Sequence, residues 1–210
     1  MASAELVELK RAIARVGRHF VAPSVRVAAG PFSDLVYDRV RALRILACAE
    51  FERYFENRAL KVADRASKYQ LQGRCNEIVN SALAAAYLSG FVIGGSNEAP
   101  RARIARSFYE KSHAEFIVSA VSAYGDVVKD NHGVRDENLY VLLRPIAFDF
   151  KAFDPLFLPE ITQFAKQRGE IAHKGVRVTM KLSPVDEIAR IARLVGFVEQ
   201  IDGVFERPHP

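Results

Sequence analysis

The stretch from residue 33 to residue 67, SDLVYDRVRALRILACAEFERYFENRALKVADRAS, decides the fold class of this chain. Its apolar side chains recur every three or four residues, the spacing that places them on one face of an α-helix. These residues are Val36, Val40, Leu43, Ala47, Phe51 and Tyr54. Ser33 and Asp34 precede the stripe and are typical of a helix start. The pattern predicts one long amphipathic helix that packs its stripe against a core.

The same periodicity continues over most of the chain, interrupted by glycine and proline. Further helices are predicted over residues 3–20, 75–93, 101–129, 137–143, 159–173 and 183–205. Residues 176–182 alternate apolar and polar, but one extended segment cannot form a sheet alone. We therefore predict an all-α, up-and-down helical bundle, with residues 1–32 as an N-terminal helix and linker and residues 33–210 as the bundle domain.

Composition limits the classes of protein to which the chain can belong. Half of the 210 residues are apolar and 26% are charged, which predicts a hydrophobic core and excludes wholesale disorder. The net charge of +5 favours an anionic partner such as nucleic acid without requiring one. Cys48 and Cys75 form no CxxC motif and no Cys/His cluster, which excludes a zinc site of ordinary spacing and favours a reducing compartment. The most apolar stretch, residues 82–93, is too short to cross a bilayer, and the N-terminus lacks the pattern of a signal peptide, so we expect a cytoplasmic protein.

The motifs of most familiar enzymes are missing from the sequence. It contains no glycine-rich phosphate loop, no HExxH and no GxSxG. We expect no cofactor and no metal. Of the five histidines, His173 is the most informative, because it closes the string FAKQRGEIAHKG over residues 164–175.

An arginine lies within the apolar stripe of the helix that carries this string. The stripe consists of Ile161, Phe164, Ala165 and Ala172, with Arg168 at its centre. A guanidinium group there is costly unless an anion meets its charge. His173 is about 140° around the helix from Arg168 and about 7.5 Å further along, so one protomer brings the two side chains together poorly. We therefore expect a homodimer whose interface uses this stripe and whose groove holds two arginines and two histidines.

The pairing of Arg168 and His173, with four residues between them at the end of an apolar helix and Lys-Gly after them, resembles the signature of HEPN domains. The string AEFERY, residues 49–54, is similar to the first core helix of the RiboL-PSP-type HEPN group. The resemblance covers roughly residues 33–205. It implies a helical bundle and, in many members, a metal-independent ribonuclease of a toxin–antitoxin or antiviral defence system.

The resemblance implies Arg168 and His173 as catalytic residues, with Glu52 as an accessory acid on an earlier core helix. It also implies three partners, namely RNA, a second copy of the chain, and an antitoxin or other defence-system protein. Arginine and histidine suit the cleavage of RNA without a metal, because histidine exchanges protons near pH 7 and arginine stabilises charge on a phosphate. Glu52 can also be read as a surface acid paired with Arg53 or Arg58, and the Arg168–His173 pair as purely structural.

Gly169 departs from the pattern of the family, in which the residue after the arginine is usually polar. Glycine also costs the helix about 1 kcal/mol relative to alanine. This departure favours an alternative function, a non-catalytic HEPN module for dimerisation or nucleic-acid binding. The family motif allows four to six residues between the arginine and the histidine, so Arg106 and His113, with six between them, also fit. Only the segment 168–173 lies late in the chain with the Ile-Ala-His ending.

Overall fold

The computed structural model describes residues 2–26, 30–74, 76–89, 112–174 and 181–206, without the side chains of residues 172–174 and 206. The α-helices in these ranges are α1 (Ala4–Phe20), α2 (Asp34–Leu71), α3 (Glu77–Leu88), α4 (His113–Lys129), α5 (Asp136–Leu143), α6 (Phe157–Lys174) and α7 (Pro184–Asp202). Short 3-10 turns cover Pro23–Arg26, Arg144–Ile146, Phe150–Ala152 and Gly203–Glu206. No β-strand occurs in the described ranges, and the prediction of an all-α fold is confirmed.

The start of α4 differs from the prediction. Ser112 has extended backbone angles, with φ −61° and ψ 157°, and its hydroxyl accepts the backbone N–H of Glu115. The carboxylate of Glu115 in turn accepts the backbone N–H of Ser112 at 2.9 Å, which completes a capping box. A helix cannot run through such a residue. The single helix predicted over 101–129 is therefore wrong, and residues 101–111 lie outside the described ranges.

Other boundaries move by a few residues. Helix α2 continues to Leu71, beyond the predicted end at residue 67, and the chain turns at Gly73, whose φ of +69° suits glycine. Asn76 caps α3 by accepting the N–H of Val79, so this helix begins at Glu77. Residues 90–93 of the predicted third helix, most of the predicted extended segment 176–182, and Cys75 lie outside the described ranges.

The chain divides into two compact units. Unit 1 comprises Met1–Tyr54, Gly133–Asp136 and Phe150–Gly203, and unit 2 comprises Phe55–His132, Glu137–Asp149 and Val204–Pro210. Unit 1 therefore contains α1, the N-terminal part of α2, α6 and α7. All three predicted site residues belong to unit 1. The predicted boundary between residues 32 and 33 stays a prediction.

In unit 1, the apolar stripe of α2 forms the core as predicted. Val40, Leu43, Ala47, Phe51 and Tyr54 are buried. The ring of Phe51 meets the ring of Phe164 on α6 edge-on, with 6.3 Å between centroids. Helix α7 packs against both α1 and α6. None of the described helices has the length and hydropathy that a membrane span requires.

Asp202, the last residue of α7, links three elements of unit 1. It is only 2% exposed. Its carboxylate accepts the backbone N–H and the hydroxyl of Ser3, at 2.8 and 2.6 Å, and the hydroxyl of Tyr54, at 2.8 Å. Ser3 is also the N-cap of α1, since its hydroxyl accepts the N–H of Leu6. The carboxylate therefore holds the start of α1 and the side chain of Tyr54 at the end of α7.

Unit 2 has its own core. Helix α3 packs against α4 and against the 3-10 turn Arg144–Ile146. Tyr124 on α4 is fully buried and donates its hydroxyl hydrogen to the carbonyl of Leu142. Asn131 donates to the carboxylate of Glu56 at 2.8 Å. Burial raises the pKa of Glu56, and the Asn131 hydrogen bond opposes that rise.

Candidate functional site

Polar side chains interrupt the apolar contact between α2 and α6 in unit 1. Three lie on α2 at successive spacings of four residues, and two are adjacent on α6. We refer to these residues, Arg44, Cys48, Glu52, Gln167 and Arg168, as the polar cluster. Their spacing on α2 places all three on one helix face, because residues four apart are neighbours on a helix surface. The cluster contains two of the three predicted site residues.

Cys48 shows which charged groups surround the middle of the cluster. The thiol is 3% exposed, and burial raises its pKa from 9.0 to about 12. The guanidinium group of Arg168 opposes this rise of the pKa, and the carboxylate of Glu52 adds to it. Arg168 and Glu52 therefore both lie within electrostatic range of the Cys48 thiol.

A buried ion pair braces the other end of the cluster. Arg44 donates from Nε to the carboxylate of Glu187 on α7 at 2.6 Å and makes a second hydrogen bond from Nη2 to the same carboxylate. The two side chains are 2% and 3% exposed. Arg44 also donates to Gln167, which accepts from Arg190 at 3.0 Å, and its guanidinium lies 5.2 Å from the ring centroid of Phe164. These bonds tie α2, α6 and α7 together beside Arg168.

Arg44, Glu187 and Gln167 were not predicted from the sequence. A signal existed for Arg44, because it lies between Val40 and Ala47 on the apolar stripe of α2, as Arg168 does on α6. A charged residue at a core position predicts a buried partner. Glu187 carries no such signal, since an acid in the first turn of a helix is common for reasons of the helix dipole alone.

Arg168 occupies the predicted position on α6. The neighbouring stripe residues Ile161, Phe164 and Ala165 are buried. The side chain of Arg168 is partly exposed, but its Nε atom is buried and has no hydrogen-bond partner in the described structure. An unsatisfied buried donor costs about 1–3 kcal/mol. The arginine is therefore placed where an anion reaching its exposed side would improve its environment.

The burial of this stripe corrects one expectation about assembly. Ile161 and Phe164 are 0% exposed within one protomer, and Phe164 packs on Phe51 and Arg44. The stripe faces the protomer's own core, because α2 supplies the apolar surface that it needs. It is therefore not available as the predicted interface of a homodimer.

Of the other two predicted site residues, the structure describes the side chain of Glu52 but not that of His173. His173 lies in the last turn of α6, and its side chain is outside the described part of the structure. Glu52 is half-buried on α2. Its neighbour Arg53 forms ion pairs with Glu50 at 2.7 Å and with Glu8 at 3.2 Å.

The second match to the Arg–His motif lies only partly within the described residues. Arg106 lies outside the described residues, and His113 is exposed at the first position of α4. Among the described residues, no group of three or more histidine, cysteine or acidic side chains could hold a metal ion.

Gly169 lies against an arginine from another segment of unit 1. A Cβ atom added to Gly169 would lie 3.5 Å from Nη2 of Arg135. This distance is an ordinary van der Waals contact, so the guanidinium of Arg135 occupies the space just outside the glycine. Arg135 was not predicted as a site residue, and its sequence neighbourhood carries no pattern that would have indicated it.

The family of the chain follows from comparison with known proteins. The family model described as RiboL-PSP-HEPN matches residues 28–207, which includes α2 to α7 and leaves α1 outside. No curated protein and no solved structure matches the chain. The family match supports an RNase-like or defence-related module. Because this match covers most of its length, the chain belongs to the RiboL-PSP family of HEPN domains.

Proposed function

We propose that this chain is a metal-independent endoribonuclease of the HEPN type that acts in the cytoplasm as a toxin or an anti-phage defence effector. The observation that carries the proposal is the state of Arg168. Its Nε is buried without a hydrogen-bond partner in the described structure, while part of its side chain is exposed. A planar guanidinium group matches the oxygen atoms of a phosphate with two parallel hydrogen bonds.

In the proposed reaction, the 2′-oxygen of a ribose attacks the adjacent phosphorus. The O2′–P bond forms and the P–O5′ bond breaks, which leaves a 2′,3′-cyclic phosphate and a 5′-hydroxyl group. One proton leaves the 2′-hydroxyl and one is added to O5′. His173 exchanges one of these protons and water exchanges the other. Arg168 donates to the phosphate oxygens as their charge increases, and Glu52 is the accessory acid near it.

The nuclease proposal predicts RNA cleavage in EDTA that depends on His173. A His173→Ala variant is expected to cleave a labelled oligoribonucleotide at least about 100-fold more slowly than the wild type, because a positioned general acid or base contributes about 10²–10⁴ in rate. The products of the wild type should carry 2′,3′-cyclic phosphate ends. Cleavage is followed on denaturing gels, and the ends are identified by mass spectrometry.

His19→Ala is the matched control, because His19 is an exposed histidine at the end of α1, outside the family match. This variant should cleave RNA at the wild-type rate. Equal cleavage by the wild type and by His173→Ala would contradict the assignment of the reaction to this site.

The proposed enzyme is a homodimer in which two copies of the segment 168–173 face one groove. Size-exclusion chromatography with light scattering at micromolar concentration should give twice the protomer mass of 23.4 kDa. A species of the protomer mass that retains full cleavage activity would contradict the shared groove.

Gly169 favours a second candidate function, a non-catalytic HEPN module that dimerises or binds nucleic acid. The family's usual polar side chain after the arginine is replaced here by a hydrogen atom. In that case the chain should bind RNA without cleaving it and should act as one component of a larger defence complex. Fluorescence anisotropy with the same oligoribonucleotide separates the two functions, because it measures binding whether or not cleavage occurs.

A further inference from the structure

The segment Gly133–Asp136 is fixed to α6 in unit 1. The backbone N–H of Asp136 donates to the hydroxyl of Thr162 at 2.9 Å. One residue earlier, the Nη2 atom of Arg135 lies 3.5 Å from the position that a Cβ atom would take on Gly169. The segment is therefore held at one turn of α6, and the side chain of Arg135 extends along the helix to the turn that carries Arg168.

Helix geometry places the guanidinium of Arg135 on the same face of α6 as position 173. Thr162 and Gly169 are seven residues apart, and positions 169 and 173 are four apart, which are spacings that stay on one face. Arg168 is about 100° away around the helix. One turn of α6 thus has a guanidinium group on each of two neighbouring sides, and Arg135 lies on the side of position 173.

Gly169 leaves space beside α6 for the guanidinium group of Arg135. A Cβ at position 169 would be in ordinary van der Waals contact with Nη2 of Arg135, so a longer side chain extending in this direction would compete with the guanidinium for the same space. Arg135 is half-buried, and a ligand can reach its exposed part.

We propose that Arg135 is a second phosphate-binding residue of the site, which contacts the RNA backbone on the side of His173. A guanidinium group presents five N–H donors in a planar fork that matches two phosphate oxygens. The inference rests on the proposed function only in identifying the anion as RNA.

The test measures binding to a 2′-O-methyl oligoribonucleotide, which carries the phosphates but lacks the nucleophile. Arg135→Met is expected to weaken binding about tenfold or more, because it removes a charge-assisted contact. The slope of log Kd against log salt concentration should fall by about 0.7, the value for one phosphate contact on a single strand. Arg135→Lys keeps the charge and loses the fork, so it should retain the salt slope while binding more weakly than the wild type.

Arg11→Met is the matched control, since Arg11 is an exposed arginine on α1 outside the family match. It should leave both the Kd and the salt slope unchanged. An Arg135→Met variant with the wild-type Kd and salt slope would overturn the proposal, whether or not its melting temperature falls.

The binding test is separate from the test of the nuclease function. If RNA cleavage depends on His173 while Arg135→Met binds normally, the role of Arg135 is wrong and the nuclease proposal stands. If no cleavage occurs while Arg135→Met loses affinity and salt slope, the role of Arg135 stands in a protein that only binds RNA.

Discussion

Replacing Glu187 with glutamine is expected to lower the free energy of unfolding by about 3–5 kcal/mol. The substitution keeps the volume of the side chain and removes the charge that compensates Arg44 in the core. The guanidinium group of Arg44 is 2% exposed, so water cannot replace the lost carboxylate. Removing one partner of such a pair leaves an uncompensated buried charge, which costs more than the intact pair contributes. Urea denaturation followed by circular dichroism measures the change.

Two further variants test this explanation. The double variant Arg44→Met/Glu187→Leu removes both charges and should recover most of the lost stability, because an apolar pair of similar volume needs no compensation. Lys10→Met breaks the exposed ion pair with Glu199, in which both side chains are 43% exposed, and should change stability by less than about 1 kcal/mol. Loss of equal stability in the double variant and in Glu187→Gln would contradict the role assigned to the buried charge.

The second large effect is expected at Asp202. Asp202→Ala removes the acceptor of three hydrogen bonds, two from Ser3 and one from Tyr54. Hydrogen bonds to charged groups contribute about 1.5–3 kcal/mol each and are not additive, so a loss of about 3 kcal/mol is expected for the whole set. The start of α1 should also become accessible, because its N-cap residue loses its anchor. Urea denaturation and limited trypsin digestion, read at Lys10 and Arg11, measure the two effects.

Tyr54→Phe serves as the control for Asp202→Ala. It removes one of the three hydrogen bonds and leaves both contacts to Ser3 in place. Its loss of stability should be about 1 kcal/mol, and α1 should stay protected from trypsin. Rapid cleavage of α1 in Tyr54→Phe, or none in Asp202→Ala, would show that Asp202 does not hold α1.

The parts of the fold that could be predicted from the sequence are those with local causes. The stripe of α2 was predicted correctly because the helical repeat determines which residues share a face. The start of α4 was missed although its cause is also local. Ser112 and Glu115 form a recognisable capping box, but apolar periodicity on both sides favoured an uninterrupted helix.

In the candidate site, too, some residues could be predicted from local sequence and others could not. Arg168 stood out in the sequence because a charge on an apolar stripe conflicts with its surroundings, and its buried Nε confirms that conflict. Arg135 could not be predicted, because its relation to Gly169 depends on where the segment Gly133–Asp136 lies against α6. Contacts between distant segments depend on tertiary packing, which no local pattern records.

Unit 1 is built from three separate segments of the chain, so its folding during synthesis depends on when the last of these segments leaves the ribosome. Ser3 and Asp202 are 199 positions apart, and Arg44 and Glu187 are 143 apart. Such distant contacts form late and slow folding, and during synthesis they must wait for the later partner to emerge. The early helices therefore leave the ribosome with Arg44 unpaired and without α6, which carries both Arg168 and His173. For the proposed nuclease, this delays activity until α6 and α7 have both been synthesised.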